Sequence, residues 1–333
     1  MPAIHPQPSG LRPVARLVEG FMLSYRNRET DLIADRVLPA FSVGGEKTGK
    51  FAYTLPGSFH GRGPGQPTLE RPRGAEPAAA RGVQYGTVDY DCRHYAEYFP
   101  LDEVYDVKTS DVALDVKQAH YTQLWDDLML DREDRAAQMF FGANFTADNV
   151  PSWANSGGTP INDIDNAYRA VWEATGSRPN GVILSYTAAQ YLRFHDDIIA
   201  AQALTVDRSL FTEDDVLAWL SRKWTSLKLG HIGVAMAQTS AQAISPTTLG
   251  SIWDTQTDGP QMWIGHMSDG KNLGQRRAEG IWKSNNVAVV RPVVSDMELR
   301  EKWDGGYIGQ LIAGYMEEIR LVSAAHGRRI TFA

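Results

Sequence analysis

Apolar positions recur along this chain with two periods, and the switch between them marks its elements. From Asp111 to Phe141, Val112, Val116, Leu124 and Leu128 recur at multiples of four, Trp125, Met129, Ala136 and Met139 widen the stripe, and no Pro or Gly intervenes before Gly142. This spacing gathers apolar side chains on one helical face. At 1.5 Å per residue the predicted helix is about 45 Å long, more than one small domain needs. A shorter run, Leu32, Ile33, Val37 and Leu38, follows Thr30 at an N-cap position, carries Asp31 in its first turn and stops at Pro39. Residues 1 to 27 alternate proline, glycine and basic residues without a sustained period and read as an extended arm.

From Lys50 the period becomes two. Phe51, Tyr53 and Leu55 alternate with Lys50, Ala52 and Thr54. Later Val88, Tyr90, Cys92, Ala96 and Tyr98 share one face against Thr87, Asp89, Asp91, Arg93 and Glu97. Two paired strands are expected. Between them, 11 of the 28 residues from Leu55 to Gly82 are Pro or Gly, a composition that supports no core element. A loop of this length inside a compact chain is usually functional or disordered.

Residues 150 to 285 read as mixed α/β. Thr159 caps a helix that has Pro160 at its first position and Ile161, Ile164, Tyr168 and Val171 on one face. Val182 to Leu184 is a strand, Ser185 caps the next helix, Thr212 with Asp215 opens another, and His231 to Ala237 is a strand. The β runs after Asn286 (Val287 to Val290, Val293 to Val294, Ile319 to Val322, Ile330 to Phe332) are expected to rejoin the long-helix region. No internal repeat is visible.

Composition narrows the function classes. With 43% hydrophobic and 22% charged residues in 333, the chain is an ordinary folded protein. A net charge of -7 argues against reading a nucleic-acid sequence, which needs clustered Lys and Arg. The single cysteine, Cys92, excludes an internal disulfide, and the opening MPAIHPQPSG lacks a secretory pattern, so a cytoplasmic site of synthesis is expected. No apolar stretch approaches the roughly 20 residues of a membrane span.

Candidate chemistry is sparse. Gly44 to Lys50 fits the start of a phosphate-binding loop, but Phe51 stands where Ser or Thr must hold magnesium, and a strand follows instead of a helix. Cys92 and His94 have no second Cys or paired His to complete a metal or nucleophile set, and His120 and His195 read as structural. Asp126 and Asp127 are candidate acid and base groups. The run Asp131, Arg132, Glu133, Asp134, Arg135 reads as a solvated face or an ion-pair seam between subunits. The nine tryptophans are scattered, which suits cores and subunit contacts better than a carbohydrate cleft.

The order of arm, hairpin with a long loop, long helix, α/β insert and returning strands resembles the major capsid proteins of tailed bacteriophages, the Hong Kong 97-type coat fold. The stretch Asp31 to Pro39 followed by Gly49-Lys50-Phe51 looks like that family's arm-to-loop junction. Thr175 to Ser185, then Ala189 to Phe194, look like its axial-domain strand and helix. The resemblance implies an α+β fold with an N-terminal arm (1–49), an extended β-hairpin loop (50–99), a peripheral domain carrying the spine helix (100–149 and 286–333) and an α/β axial domain (150–285).

It also implies a non-enzymatic subunit without cofactor or metal that tiles a shell from hexamers and pentamers of itself. Such a shell encloses double-stranded DNA without reading its sequence, with portal and scaffolding or decoration proteins as further partners and no membrane. The subunit would be made in the host bacterial cytoplasm and reside in the virion. Expected contacts between subunits are Arg62, Glu70, Arg71, Arg73 and Glu76 of the loop and Asp131, Arg132, Glu133 and Arg135 of the long helix. The alternatives are an encapsulin-type cargo shell and, from a different class, a cytoplasmic hydrolase using Asp126, Asp127 or Glu133.

Overall fold

In the computed structural model the described residues are 32–38, 40–42, 47–54, 84–102, 112–154, 157–202, 212–238, 249–256, 258–267, 287–291, 298–304 and 308–332. The expected arm before residue 32, the Pro/Gly-rich stretch with Arg62, Glu70, Arg71, Arg73 and Glu76, and the run Val293 to Val294 lie outside them. A one-turn helix α1 (Ala34–Val37) precedes β1 (Ala40–Ser42). The strands β2 (Thr48–Thr54) and β3 (Tyr85–Asp91) form an antiparallel pair, and β4 (Arg93–Asp102) follows. The long helix is α2 (Val112–Phe141), 30 residues.

Two sheets pack against α2. The first joins β1, β11 (Val287–Arg291), β13 (Ile308–Leu321) and β12 (Glu298–Asp304), with β4 also on β13. The second has the order β5 (Thr146–Val150), β14 (Gly327–Phe332), β10 (Gln261–Gly265), β6 (Gly181–Ser185), β7 (Leu229–Gly233). A small pair, β8 (Met236–Gln238) and β9 (Leu249–Ser251), lies beside it in sequence.

The second sheet is buried on both faces. Val182, Leu184, Met262 and Ile264 point into one core with Ile164, Ala167, Val216 and Leu220, while the intervening Ile183 and Trp263 point into another with Ala136, Phe140 and Phe141 of α2. The first core is roofed by α3 (Pro160–Thr175), α4 (Tyr186–Phe194), α5 (Asp196–Gln202) and α6 (Glu213–Lys223). Alternation on a pleated strand makes this double burial possible. Burying a side chain the size of Ile or Leu contributes about 1.5–3 kcal/mol. Among the described residues of the first sheet, Ala313, Tyr315, Tyr95 and Phe99 meet Leu124 and Leu128 of α2, and Ile319 and Leu321 pack with the core around Trp263.

Local chemistry sets the element ends. The Ser185 side chain accepts from Ala188 N–H at 3.3 Å to start α4, and Thr212 with Asp215 forms a reciprocal capping box on α6. Helix α3 ends at Gly176, whose φ of 73° suits glycine. Helix α2 has no basic residue in its last turn; Arg329 of β14 supplies the cation instead, donating from Nη1 to Phe141 O at 2.6 Å and to Asp258 at 2.8 Å, and from Nε to Phe145 O at 3.3 Å.

Four expectations are corrected. The arm helix is a single turn over Ala34–Val37 with Ile33 at its N-cap, because a carboxylate from α2 supplies the cap that Ile33 lacks. The alternation from Thr87 to Tyr98 breaks at Cys92: before it Val88 and Tyr90 face inward, after it Tyr95 and Phe99 do, so Ala96 and Tyr98 turn outward. The expected strand His231 to Ala237 is two strands ending at Gly233 and resuming at Met236. The strand over Ile330 to Phe332 does not rejoin the first sheet; it enters the second between β5 and β10, paired parallel to one and antiparallel to the other. Residues 146–150 and 327–332 thus lie in one sheet with β6, β7 and β10.

Candidate functional site

The stretch Asp131 to Arg135 was expected at the surface, and the structure puts half of it inside. Arg132 and Glu133 are 4% and 1% exposed, whereas Asp131 is solvent-exposed. Arg132 pairs with Asp35 of α1 at 2.5 Å and through Nε with Glu317 of β13 at 3.0 Å. Arg135 pairs with the same Glu317 at 2.8 Å and with Asp131 at 2.9 Å, lies 3.7 Å from the centre of the Tyr95 ring and donates to the Tyr315 hydroxyl. Tyr95 and Tyr315 stack at 5.8 Å. One helical turn thus ties together the arm helix, β4 and β13. Burial raises the Glu317 carboxyl above its ordinary range, and Arg132 and Arg135 pull it back.

Glu133 faces the other way. Its Oε1 accepts from Ala34 N–H at 2.5 Å and its Oε2 from the Trp253 indole N–H at 2.9 Å. Burial pushes this carboxyl up to about 7, against hydrogen bonds from Ala34, Trp253 and Ile33 that lower it. The next residues of β13 extend the junction toward the hairpin: Glu318 accepts from Asp91 N–H and pairs with Arg320 at 2.6 Å. Sequence reasoning missed Glu317, Glu318, Tyr315, Asp35 and Trp253 as partners. Two adjacent acids ending the run Leu311 to Met316, which carries no charge, were the available signal, since buried charges require partners.

The hairpin β2/β3 contrasts with this junction. Its residues 48–52 and 85–89 are exposed or half-exposed, and the apolar patch at its base is Phe51, Tyr90 and Cys92. Lys50 and Asp89 pair across it at 3.2 Å with both side chains in water. An isolated two-stranded hairpin is marginal in water, so this one needs a surface to lie on. Tyr98 on the outward face of β4 is 60% exposed, opposite half-buried Ile312 of β13.

The chemical candidates do not assemble. Cys92 is buried, and burial pushes its thiol up to about 11 with Glu318, Asp91 and Glu317 adding to the shift, so the reactive thiolate is disfavoured. His94 is exposed, His120 stacks on Phe99, and the Nδ1 of His195 accepts from Asp197 N–H at 3.3 Å. Lys50, the last residue of the phosphate-loop match, lies in β2, a strand. Asp126 and Asp127 are half-buried neighbours whose carboxyls are raised by burial, Asp126 also by Asp127, while Glu133 is turned to the arm; adjacent helix positions do not face each other. Among the described residues no three His, Cys, Asp or Glu side chains gather as metal ligands. Trp153, Trp219, Trp224, Trp253 and Trp263 are core residues and line no cleft. Among the described residues no helix is long and apolar enough to cross a membrane.

Neither a protein-family model nor a curated protein matches the sequence. Solved structures do. A phage-related protein from Bordetella bronchiseptica superposes with a TM-score of 0.60 over 91% of this chain and 92% of that one, at 18% identity. The capsid of Myoviridae phage XM1 gives 0.55 over 91% and 92% at 9% identity. The fold is that of the tailed-phage capsid proteins. A virus-like particle from Pyrococcus furiosus shares it, with a TM-score of 0.51 over 94% of this chain and 97% of that one at 14% identity. The likeness covers about nine-tenths of this chain, in agreement with the capsid-type fold that the sequence resembles.

Proposed function

We propose that this chain is the coat subunit of a tailed phage, made in the host bacterial cytoplasm and assembled as hexamers and pentamers into an icosahedral shell around double-stranded DNA. The observation that carries the reading is the likeness to capsid structures over about nine-tenths of both chains. The exposed hairpin and the exposed Tyr98 of β4 support it, because both gain cover from neighbouring copies. In this reading the subunit is structural and not enzymatic. Its further partners are portal and scaffolding or decoration proteins, and the acidic chain confines DNA without reading it.

Within the Hong Kong 97 scheme, 1–49 is the arm, 50–99 the extended loop, 150–285 the axial domain with β5 and β14 completing its sheet, and the rest of 100–149 and 286–333 the peripheral domain. Arg62, Glu70, Arg71, Arg73 and Glu76 reach a neighbour from the loop. On α2 the contact narrows to Asp131 and the partly exposed edge of Arg135, since Arg132 and Glu133 are occupied inside the subunit.

Electron microscopy and light scattering of the purified chain test the reading: closed megadalton particles are expected, because heterologous contacts repeat until a surface closes. A population that stays below about four subunits under assembly conditions overturns it. The second reading is an encapsulin-type cargo shell, since the likeness to a virus-like particle from Pyrococcus furiosus supports a shell without naming its content. Sequencing the nucleic acid and identifying any protein inside purified particles separates the two.

A further inference from the structure

We infer that the seat of the N-terminal arm on the long helix is proton-linked, tight while Glu133 carries a proton and loosened as Glu133 ionises. Glu133 sits on α2, 1% exposed, between two elements distant in sequence: Ala34 of the arm helix donates to one carboxyl oxygen and Trp253 to the other. Ile33, Ala34, Val37 and Leu38 pack the same core as Trp253, Phe140 and Phe141, so the carboxyl is sealed only while the arm is down.

The charged groups around it do not compensate an anion. From α1, Asp35 is the nearest charge and has the same sign; Arg36 belongs to the same turn and bears on His231 of β7. On α2 itself the Arg132 guanidinium is held by Asp35 and by Glu317 of β13, and Arg135 by Glu317 and Asp131. Beside Trp253, Asp254 is another anion, bonded to Thr187. Among the described residues no cation pairs with Glu133, and two neutral donors do not repay the lost hydration of a buried carboxylate.

Lifting the arm returns the carboxyl to water and to its ordinary range. The docked state therefore holds the proton more tightly than the released one, burial pushing the carboxyl up to about 7 in spite of the hydrogen bonds from Ala34 and Trp253 that lower it. The sign follows: docking is fully favoured below pH 4.5, weakens as pH rises from there to about 7, and is constant above. Within that window the docking constant falls by up to about tenfold per pH unit. The arm helix precedes β1, which pairs with β11, so its seat also bears on the edge of the first sheet.

Hydrogen exchange of the full chain between pH 5 and 8, corrected for intrinsic amide rates, tests this directly. The peptide over 32–38 should lose protection across the window, relative to the peptide over 136–141 as an internal reference, and Glu133→Gln should flatten the difference. Protection of 32–38 that is constant or rises with pH in the wild-type chain overturns the inference, with no variant required. A pH dependence that survives unchanged in a folded Glu133→Gln chain overturns it as well.

Discussion

Ile183 packs against α2 while Val182 and Leu184 on either side of it pack the helices of the α/β region; Tyr98 of β4 faces α2 with neither side and lies mostly in water. The sheet that holds Ile183 closes its own cores, so its stability belongs to the subunit. The sheet that holds Tyr98 meets α2 through Ala313 and Tyr315 and sends Ile319 and Leu321 toward the core around Trp263, while the hairpin before it has the small patch at Phe51, Tyr90 and Cys92. Side chains on the double-covered sheet therefore fold the chain, whereas Tyr98 leaves its ring to solvent.

The largest test of this contrast is removal of Gly61 to Ala80 with the strands rejoined by a short turn. Closed shells should vanish while the thermal midpoint of dissociated subunits stays put, because the segment has no apolar period to give a core; normal shells from the deleted chain sink the assignment. Next, Trp263→Ala, which empties a site between Phe140 and Phe145, should cost about 3–5 kcal/mol in urea unfolding of the subunit.

Glu317→Ala should cost about 3 kcal/mol by stranding Arg132 without its buried partner, and Arg132→Met in the same chain should restore much of the loss. Acid sensitivity should map to the double-covered sheet. His326 is lowered from 6.5 to about 4 by burial and by His266, so its stabilising neutrality is present above pH 6.5 and lost as pH falls through about 4. Replacing His326 by Gln should flatten stability over that interval in denaturant titrations at stepped pH. The smallest effect on folding, within about 0.5 kcal/mol, is expected for Tyr98→Ser, which should nonetheless weaken particles in a dissociation assay; a larger loss of subunit stability would show that its face is already covered.

Sequence reading succeeded where a few neighbouring residues carry the information. The stripe from Leu124 to Met139, Pro160 at a helix start, Ser185 as a cap and the Thr212 with Asp215 box all stand as expected, because caps and periods are local. It failed where the deciding partner lies far along the chain. Nothing in Gly327 to Phe332 names β5 and β10 as its neighbours, separated from it by 180 and about 65 residues. The charges of Arg132 and Glu133 look like a wet helix face until Asp35, Glu317 and Trp253 are brought to them. The inversion at Cys92 is one residue of slip, enough to reverse every side chain after it.

The position of β14 carries a consequence for the living cell. Of the strands in its sheet it leaves the ribosome last, yet it lies between β5 and β10, and its Arg329 holds the terminal carbonyls of α2. A nascent chain that has already made the long helix, the hairpin and four of the five strands still has a split sheet and a frayed helix end. Domains fold as units during translation, so this unit comes into being only once β14 has been made.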